Sequence, residues 1–468
     1  MFKVEQYVAG VWGPGNSGRT ATVFDPADDT PVTTIPVSGD QDVAAAVRAA
    51  RSAAPGRAAT APSARATALH AAATAVEAAA DELAAMMTAE MGKPVDGARE
   101  SILAGVGTLR QYAELGPTHR GRALAGNDDA IDLMAYGPRG VVAVITPWND
   151  PVAVSCGLLG AALVTGNTVV YKPSERTPAT GWHLTRLLAP HFPHGVLNLL
   201  NGDGPVGAAL AASAVDVVAQ VGSTATGRSI AAACARTGAK ALLENGGSDP
   251  LIVDSGVDPS WAASQAALGA FVNSGQICVA VERVYVHRAV AAEFLDHLAR
   301  AADEWAPKIG PLVDRRLRDA VDEQVQQAIK AGARAVRGGA APTGPGAYYP
   351  PTVLADCTDD MPVVREETFG PVAPVITVGS FDEALTRAAD SPYGLAATVL
   401  TPSMSNAQRA WRQLPAGTVK INAVFGGAPG GAAHPRGGSG QGFGYGPELL
   451  DEMTAVRAVH LEAPPGGW

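Results

Sequence analysis

The chain is 468 residues long, carries a net charge of −10, and is 47% hydrophobic and 17% charged. This balance excludes wholesale disorder and predicts roughly two or three domains. Acidic residues outnumber basic ones, 45 against 35, and no basic block is present. Nucleic-acid binding is therefore not favoured, because phosphate contacts require clustered lysine or arginine.

The cysteines and the apolar segments bear on the compartment. Cys156, Cys234, Cys278 and Cys357 are far apart and form no CxxC pair. This pattern favours neither a metal site nor a disulfide framework and is typical of a reducing compartment. The N-terminal residues lack the apolar core of a signal peptide. The uncharged run 151–171 has the length of a membrane span, but its proline, glycine and asparagine residues predict a buried helix and strand instead. We therefore expect a cytoplasmic protein with no membrane association.

The first part of the chain is predicted to be mainly helical. Residues 1–36 read as short strands and turns, and Ala-rich helices are predicted over 42–54, 63–90 and 95–115. Apolar residues recur at helical spacing in the second of these helices, which indicates one buried face. Residues 119–137 are predicted to form an isolated hairpin.

From residue 140, short apolar or β-branched runs alternate with helical segments, which predicts crossover connections and an α/β fold with parallel sheets. A Gly-rich segment (426–446) and a strand-like run (Ala455–Leu461) follow. The predicted strands are Val141–Ile145, Thr168–Tyr171, Val196–Leu200, Val215–Val221, Lys240–Leu243, Leu251–Val253, Arg283–His287, Val372–Thr377, Ala397–Leu400 and Thr418–Ile421.

Two short segments could contact a nucleotide. Gly202–Gly207 is a literal GxGxxG between a predicted strand and helix, but no acidic residue ends the next strand. A simple tight turn explains it equally well. The segment Lys172–Glu175 (KPSE) directly follows a parallel strand, where ligands bind in open α/β sheets. Glu175 could accept hydrogen bonds from an adenosine ribose; a solvated loop with an N-cap serine is the alternative.

Four motifs, in their order and spacing, carry a resemblance to a known family. They are Thr146–Asn149 (TPWN), Glu244–Gly247 (ENGG), Phe271–Cys278 (FVNSGQIC) and Glu366–Pro371 (EETFGP). With these motifs the chain resembles the NAD(P)-dependent aldehyde dehydrogenase superfamily over essentially its whole length. The resemblance implies two parallel-sheet α/β domains and a small β-flap. The implied ranges are an NAD-binding domain (1–118 and 138–245), a catalytic domain (246–438) and an oligomerisation flap (119–137 and 439–468).

The predicted chemistry depends on three residues. Oxidation of an aldehyde needs a nucleophile that turns the carbonyl into a tetrahedral adduct able to lose hydride, and the thiolate of Cys278 meets this need. Asn149 and the backbone N–H of Cys278 are the candidate donors to the oxyanion. Glu244, 34 residues before Cys278, matches the family's general base, which activates water to hydrolyse the thioester. The other cysteines are predicted to be buried and inert.

The resemblance also implies the cofactor site. Glu367 would hold the nicotinamide ribose, Phe369 would lie near the nicotinamide ring, and Glu175 would lie beside the adenosine ribose. Because a carboxylate there repels a 2′-phosphate, NAD is predicted in preference to NADP. The implied contacts are Ile145, Pro147, Trp148, Lys172, Glu175, Gly204, Gly222, Ser223, Glu367 and Phe369.

In the family, the helix after the TPWN motif lines the substrate tunnel. Gly157 is small where a bulky residue is frequent, which predicts a wide tunnel suited to a bulky or aromatic aldehyde. Many members carry a lysine where Leu158 stands and a second glutamate where Gly444 stands, so the usual proton relay is predicted to be absent. The candidate tunnel residues are Asp150, Val154, Gly157, Leu158, Val424 and Phe425.

The strand-like C-terminal run has an edge that a partner subunit can cover, so a homodimer or homotetramer is expected. Within the same class, a CoA-acylating or a semialdehyde dehydrogenase is an alternative. Two alternatives belong to other classes of protein: a cofactor-independent thiol hydrolase and a non-catalytic NAD-binding protein. The hydrolase would not need the cofactor residues, and the non-catalytic protein would not need Cys278, Glu244 and Asn149.

Overall fold

The computed structural model describes residues 2–427 and 431–464, in which helices surround four sheets. The strands, numbered β1 to β21 in chain order, are Phe2–Lys3, Gln6–Val8, Val11–Gly13, Thr20–Phe24, Pro31–Pro36, Arg122–Leu124, Ala130–Pro138, Val141–Ile145, Thr168–Lys172, Leu197–Leu199, Val217–Val221, Lys240–Glu244, Asp249–Val253, Val281–His287, Arg334–Arg337, Thr352–Ala355, Val372–Val378, Ala396–Leu400, Thr418–Ile421, Gly440–Gln441 and Thr454–Glu462. The helices, α1 to α15, are Asp40–Ala58, Pro62–Ala78, Ala80–Met91, Val95–Leu115, Pro151–Val164, Pro178–Leu188, Gly204–Ala211, Thr224–Thr237, Pro259–Phe271, Ala291–Trp305, Arg315–Lys330, Pro362–Arg365, Phe381–Ala389, Met404–Gln413 and Glu448–Glu452.

The largest sheet has eight strands in the order β20-β12-β11-β8-β9-β10-β2-β3. Strands β8 to β12 run parallel and are connected by helices α5 to α8, as the alternating pattern predicted. Every residue of β8 and β9 is buried, which is expected for strands covered by helices on both faces. The uncharged run after Asp150 forms the buried helix α5 and the strand β9, as predicted.

The second parallel sheet has the order β15-β16-β17-β14-β13-β18-β19, with only β15 antiparallel to its neighbour. Its central strands were predicted from their apolar runs, whereas β15 and β16 were missed. The sequence of β15, Arg-Ala-Val-Arg, is short and largely exposed and gives no alternating signal. A small sheet, β1-β5-β4, lies near the N-terminus.

The fourth sheet shows that the hairpin predicted over 119–137 is not isolated, in agreement with the flap that the resemblance implied. Strands β6 and β7 form that hairpin, but β21 pairs with β7 antiparallel along nine residues and completes a three-stranded sheet. Strand β20 lies within the range predicted for the flap but pairs with β12 of the eight-stranded sheet. The C-terminal region is therefore shared between two sheets.

The helical layer of the first part is broken where one long helix was predicted. The predicted helix 63–90 is two helices, α2 and α3, separated at Ala79, which has φ −101° and ψ 14°. Asp81 and Glu82 lie in the first turn of α3, where carboxylates stabilise a helix N-terminus. Gly92 ends α3 in the left-handed conformation that favours glycine. Within the described ranges, every helix is too short or too polar to cross a bilayer.

Candidate active site

Polar side chains fix the loop that carries Cys278. After α9 the chain turns through Asn273 and Ser274, whose φ angles of 51° and 58° are unfavourable for residues other than glycine. The hydroxyl of Ser274 donates to the carbonyl of Gly310 at 2.7 Å, and the side-chain amide of Asn273 donates to the carbonyl of Gln276 at 3.1 Å. These bonds hold the backbone up to two residues before Cys278, which is half-buried and lines a cavity.

Asn149 contacts this loop from the eight-stranded sheet. It lies between the carboxyl end of β8 and the start of α5, at the edge of the sheet where ligands bind in α/β folds. Its side-chain amide donates to the carbonyl of Gln276 at 3.0 Å, and its own carbonyl accepts from the amide of Asn273 at 3.4 Å. Because a side-chain amide has two N–H donors, one can serve an acceptor bound beside Cys278.

Glu244 is the last residue of β12. Its backbone carbonyl accepts from the N–H of Gly222 at 3.0 Å, and its carboxylate accepts from the N–H of Gly444 at 3.1 Å. Burial raises the pKa of Glu244 to about 7, and the hydrogen bond from Gly444 acts in the opposite direction. A carboxyl group with a pKa near 7 is suited to general base catalysis at neutral pH.

Carboxylates dominate the electrostatics around Cys278. Burial raises the pKa of this thiol to about 12, and negative charges nearby act in the same direction. Those charges belong to Glu244, Asp249, Glu367 and Asp150. Attack by a thiolate at neutral pH therefore requires a group that offsets them.

A cavity of about 1030 Å³ opens beside Cys278, between the loops of the two parallel sheets. This volume lies at the upper end of the range for small-molecule sites and suits a ligand as large as a dinucleotide. The residues of the cavity wall that the sequence singled out are Asn149, Asp150, Val154, Cys278 and all ten implied cofactor contacts, Ile145, Pro147, Trp148, Lys172, Glu175, Gly204, Gly222, Ser223, Glu367 and Phe369.

One end of this cavity has groups that fit an adenosine and a diphosphate. Helix α7 begins at Gly204, where an added Cβ would meet nothing within 4 Å, so the helix N-terminus is open to an anion. Gly204 and Gly207 both line the cavity, which favours a nucleotide role for the GxGxxG segment. The buried ammonium of Lys172 lies 3.7 Å from the carboxylate of Glu175, which is half-exposed. These are the groups expected to contact the adenosine ribose.

Close packing shapes the part of the cavity near Glu367. The carboxylate of Glu367 accepts from the N–H of Gly247 at 3.0 Å, and burial raises its pKa to about 7. A Cβ atom on Gly246 would overlap with this carboxylate, so the approach requires glycine there. The rings of Trp148 and Phe369 meet edge to face, with centroids 5.4 Å apart and an interplanar angle of 84°. Carboxylate, glycine backbone and aromatic rings together suit a ribose and a planar ring.

Two residues of this region were missed by the motif analysis. Glu282, buried in β14, accepts from the backbone N–H of Thr368 at 2.8 Å and of Phe369 at 3.0 Å. These bonds hold Phe369 at a φ of 53°, and burial raises the pKa of Glu282 to about 8. Arg176 lies over the ring of Trp148 at 5.5 Å and also lines the cavity. A charged residue inside an apolar strand was the available signal for Glu282, and proximity to KPSE was the signal for Arg176.

The predicted tunnel residues fall into two groups. Asp150 and Val154, in the first turns of α5, line the cavity. Leu158 is buried in the core beneath the eight-stranded sheet, while Val424 and Phe425 pack in the core around α9. The structure therefore brings the start of α5 to the cavity. Gly157 is buried in α5 and, like Leu158, Val424 and Phe425, is not among the described residues that line the cavity.

Comparison with known proteins decides the family. The model of the aldehyde dehydrogenase family matches residues 12–459 of this chain. The chain belongs to that family. A protein of Leishmania tarentolae, called aldehyde dehydrogenase, mitochondrial, is 34% identical over 470 residues, which is 97% of this chain and 94% of that protein.

Solved structures of aldehyde dehydrogenases share the fold. A lactaldehyde dehydrogenase from Escherichia coli superposes with a TM-score of 0.95 at 31% identity, covering 98% of this chain and 99% of that one. An indole-3-acetaldehyde dehydrogenase of P. syringae, in complex with NAD+, superposes with a TM-score of 0.95 at 32% identity, covering 98% of this chain and 97% of that one. A 3,6-anhydro-L-galactose dehydrogenase in complex with NAP superposes with a TM-score of 0.94 at 31% identity, covering 98% of this chain and 100% of that one. The predicted family, the α/β fold, and the class of NAD(P)-dependent oxidoreductase acting on aldehydes are confirmed.

Gly444 packs directly against Glu244, the residue predicted to be the general base. A Cβ atom on Gly444 would overlap with Cγ and Oε1 of Glu244. A residue larger than glycine at position 444 would therefore require Glu244 to adopt a different conformation. In this enzyme the carboxylate of Glu244 is held by a backbone N–H instead of facing a second side chain.

Proposed function

We propose that the enzyme oxidises a bulky or aromatic aldehyde to the carboxylic acid, with NAD as hydride acceptor and Cys278 as nucleophile. The observation that carries this proposal is that Cys278 and Asn149 line the same cavity as the implied cofactor contacts. Glu244 is not among the described residues that line it. Asn149 is bonded to the loop of Cys278, and Glu244 is close enough to influence the charge of the thiol. Each group has the chemistry that one step of the reaction requires.

In the first half of the reaction, the sulfur of Cys278 attacks the aldehyde carbon after losing its proton. The carbonyl oxygen becomes an oxyanion, which the side-chain N–H of Asn149 and the backbone N–H of Cys278 stabilise by hydrogen bonds. Donors that are already in place cost no reorganisation when the charge develops. A bound nicotinamide supplies the acceptor for the hydride that leaves the carbon, and Cys278 is left as a thioester.

In the second half, water hydrolyses the thioester. The carboxylate of Glu244 takes a proton from the water, whose oxygen then attacks the thioester carbon, and the sulfur of Cys278 leaves with the electron pair. A base with a pKa of about 7 is both partly ionised at neutral pH and strong enough to accept this proton.

The test of the proposed chemistry is NADH formation with a panel of aliphatic, aromatic, terpenoid and acidic aldehydes. Cys278→Ala is expected to abolish turnover, because no other nucleophile is assigned. Cys357→Ala, which changes a buried cysteine of the second core, is the matched control and keeps turnover. Loss of turnover in both variants, or in neither, would contradict the role of Cys278.

A bulky substrate is favoured by the space beside α5. Gly157 is buried, yet an added Cβ would meet nothing within 4 Å, so the helix borders open space at this position. Gly157→Leu is expected to reduce kcat/KM for aromatic aldehydes at least tenfold and to spare short aliphatic ones. Ala153→Leu, one turn earlier on the same helix, is the control. Equal losses for large and small aldehydes, or a wild-type preference for short acidic semialdehydes, would refute the proposal.

The choice of NAD over NADP is proposed from the charge of Glu175. At close range a carboxylate disfavours a 2′-phosphate by like-charge repulsion. Glu175→Gln is expected to raise kcat/KM for NADP at least tenfold with little change for NAD, whereas Glu304→Gln, on α10, leaves both unchanged. A wild-type enzyme that uses NADP as well as NAD would overturn this argument.

We also propose a cytoplasmic homodimer or homotetramer assembled through the sheet β21-β7-β6. Ile131, Val456 and Leu461 on this sheet are 57%, 49% and 43% exposed, which is high for large apolar side chains. Light scattering after size exclusion is expected to give a multiple of the monomer mass for the wild type and a smaller mass for Val456→Glu. A wild-type monomer would contradict the assembly, and a protein recovered outside the cytoplasmic fraction would contradict the location.

A further inference from the structure

A lysine and an aspartate form a loose ion pair on the wall of the cavity, at the start of α5. Nζ of Lys93 lies 3.8 Å from Oδ2 of Asp150, and both residues line the cavity together with Asn149 and Cys278. Lys93 comes from the segment between α3 and α4, and its side chain is only 11% exposed, against 34% for Asp150. A charged group so far withdrawn from water is usually hydrogen-bonded as well as paired.

Both groups have hydrogen-bonding capacity that the protein does not use. The hydroxyl of Ser101, in α4, donates to Oδ1 of Asp150. The 3.8 Å between Nζ and Oδ2 is too long for a hydrogen bond, and neither atom has another partner within residues 2–427 and 431–464. The three donors of Lys93 and one oxygen of Asp150 are therefore available at the cavity wall.

Helix capping does not account for Asp150. It is the N-cap residue of α5, where an aspartate normally accepts from a backbone N–H of the first turn. Its side chain makes no such bond. The carboxylate is directed instead towards Ser101 and Lys93, which leaves Oδ2 for a ligand.

Asp150 is fixed beside the loop of the nucleophile. The preceding residue, Asn149, donates its side-chain amide to the carbonyl of Gln276 at 3.0 Å, two residues before Cys278. Val154, one turn further along α5, also lines the cavity. Asp150 therefore lies on the side of the cavity where the start of α5 meets the nucleophile.

Lys93 approaches the same loop from another direction. An added Cβ on Gly310 would overlap with the carbonyl oxygen of Gly92, the residue before Lys93, so the two segments are in close contact. The carbonyl of Gly310 accepts from the hydroxyl of Ser274 at 2.7 Å, within the loop that leads to Cys278. The lysine and the aspartate thus reach the cavity from two segments that both contact this loop.

The two charges select the group that can bind between them. A carboxylate on the ligand would be repelled by Asp150, and an ammonium would be repelled by Lys93. A hydroxyl group is neutral and can accept from Nζ while it donates to Oδ2. Because 3.8 Å is less than twice the usual hydrogen-bond length of about 2.8 Å, one oxygen atom can reach both partners.

We propose that Lys93 and Asp150 bind a hydroxyl group of the substrate, so that the enzyme selects a bulky or aromatic aldehyde that also carries an alcohol. This inference rests on the proposed function and narrows its substrate class. Lys93 and Asp150 are specificity residues. Ser101, which is not among the described residues that line the cavity, is a positioning residue that orients the carboxylate.

The test compares kcat/KM for aromatic aldehydes of matched shape. The probes are the meta and para isomers of hydroxymethylbenzaldehyde, ethylbenzaldehyde and carboxybenzaldehyde, which place an alcohol, a methyl group or an anion at the same position. The wild type is expected to prefer at least one hydroxymethyl isomer about tenfold or more over its ethyl counterpart, as is typical of a hydrogen bond to a charged group. The carboxy probes are expected to be the poorest substrates.

Two variants separate a specific role from a structural one. In Lys93→Met, the ratio of kcat/KM for the alcohol to that for the ethyl probe is expected to fall to within about threefold of one, because the donor is lost. Asp150→Asn leaves the ammonium without its counter-charge, so kcat/KM for the carboxy probe relative to the ethyl probe is expected to rise about tenfold. Lys330→Met, which removes an exposed lysine at the end of α11, is the control and leaves both ratios unchanged.

A wild type that does not distinguish the alcohol from the ethyl probe at either ring position would overturn the proposal. So would variants that lower kcat/KM for all probes by the same factor, since a structural defect does not change the ratios. Asp150→Asn is nearly isosteric and keeps the test open if Lys93→Met does not fold.

A binding measurement distinguishes failure of this inference from failure of the proposed function. Calorimetry with Cys278→Ala and NAD needs no turnover. If the wild type oxidises none of the probes but this variant binds the alcohol about tenfold more tightly than the ethyl probe, the proposed function fails and the hydroxyl site stands. Equal or absent binding of the two probes would overturn the hydroxyl site itself.

Discussion

Replacing Gly444 by alanine is expected to disturb the general base while leaving the nucleophile intact. Gly444 does not have a positive φ angle, so its backbone accepts alanine. The added Cβ, however, would overlap with Cγ and Oε1 of Glu244. The glutamate must therefore rotate away, and its carboxylate loses the hydrogen bond from the N–H of residue 444, which is 3.1 Å long in the wild type.

The size of the effect follows from that bond. A hydrogen bond to a charged group is worth about 1.5–3 kcal/mol, and about 1.4 kcal/mol corresponds to one pH unit. This bond lowers the pKa of Glu244, which burial raises to about 7. Its loss should raise the pKa by about one further pH unit. At pH 7 the ionised fraction of the base then falls about fivefold, and hydrolysis of the thioester slows by the same factor.

Stopped-flow measurement of NADH separates the two halves of the reaction. The burst reports formation of the thioester, and the steady state reports hydrolysis where hydrolysis limits turnover. Gly444→Ala is expected to keep the burst and to move the midpoint of the steady-state pH profile upward. Gly107→Ala, in α4, adds a Cβ that meets nothing within 4 Å and is the matched control. An unchanged midpoint in Gly444→Ala, or loss of its burst, would refute the reasoning.

Three further predictions concern buried carboxyl groups. Glu244→Gln should keep the NADH burst but slow the steady state at least a hundredfold, whereas the wild-type rate should rise as the pH passes about 7, because the base must be ionised. Each carboxylate oxygen of Glu282 accepts from one backbone N–H, of Thr368 or of Phe369, and in Glu282→Gln the amide NH2 would face one of these donors. Calorimetry should therefore find NAD bound about tenfold more weakly, and an unchanged affinity would count against this positioning role. Burial raises the pKa of Glu90 to about 7, so folded Glu90 binds its proton more tightly than unfolded Glu90, and its contribution to stability is lost as the pH rises from about 4.5 through about 7. Urea unfolding at pH 5 and pH 8 should show this decline, and a decline of the same size in Glu90→Gln would contradict it.

The sequence predicted those parts of the fold that depend on local pattern. Val141–Ile145 has the predicted bounds because it is a short apolar run between turn-forming residues. Thr418–Ile421 has them because its β-branched residues lie between Gly417 and Asn422. The family, the enzyme class and the parallel sheets followed from motif order and from alternating elements. The pairing of Ala455–Leu461 with residues 130–138 joins segments more than 300 positions apart, so local pattern does not show it, and only the resemblance implied a flap that contains both.

The motifs also predicted residues that line the cavity, but they did not predict which other side chains hold those residues in place. Glu282 lies inside a mainly apolar strand, so the sequence could mark it as unusual but could not show its partner. Its role depends on the loop of Thr368 and Phe369 that the fold brings against it. The contact of Gly444 with Glu244 likewise joins residues 200 positions apart, and the sequence showed only that a glutamate was absent.

The positions of the three strands from β19 to β21 have a consequence for how the enzyme is made. Strand β19 closes one edge of the second sheet, β20 pairs with β12 at the level of Glu244, and β21 completes the flap. On the ribosome these strands emerge after β12 and the loop of Cys278, so until then β12 is an open edge and Glu244 lacks its N–H partner at residue 444. A chain released early would carry Cys278 but an unfinished site for hydrolysing the thioester. Under the proposed mechanism, competence for the full cycle therefore arrives only when residue 444 has emerged, after all the parallel strands of both sheets have been made.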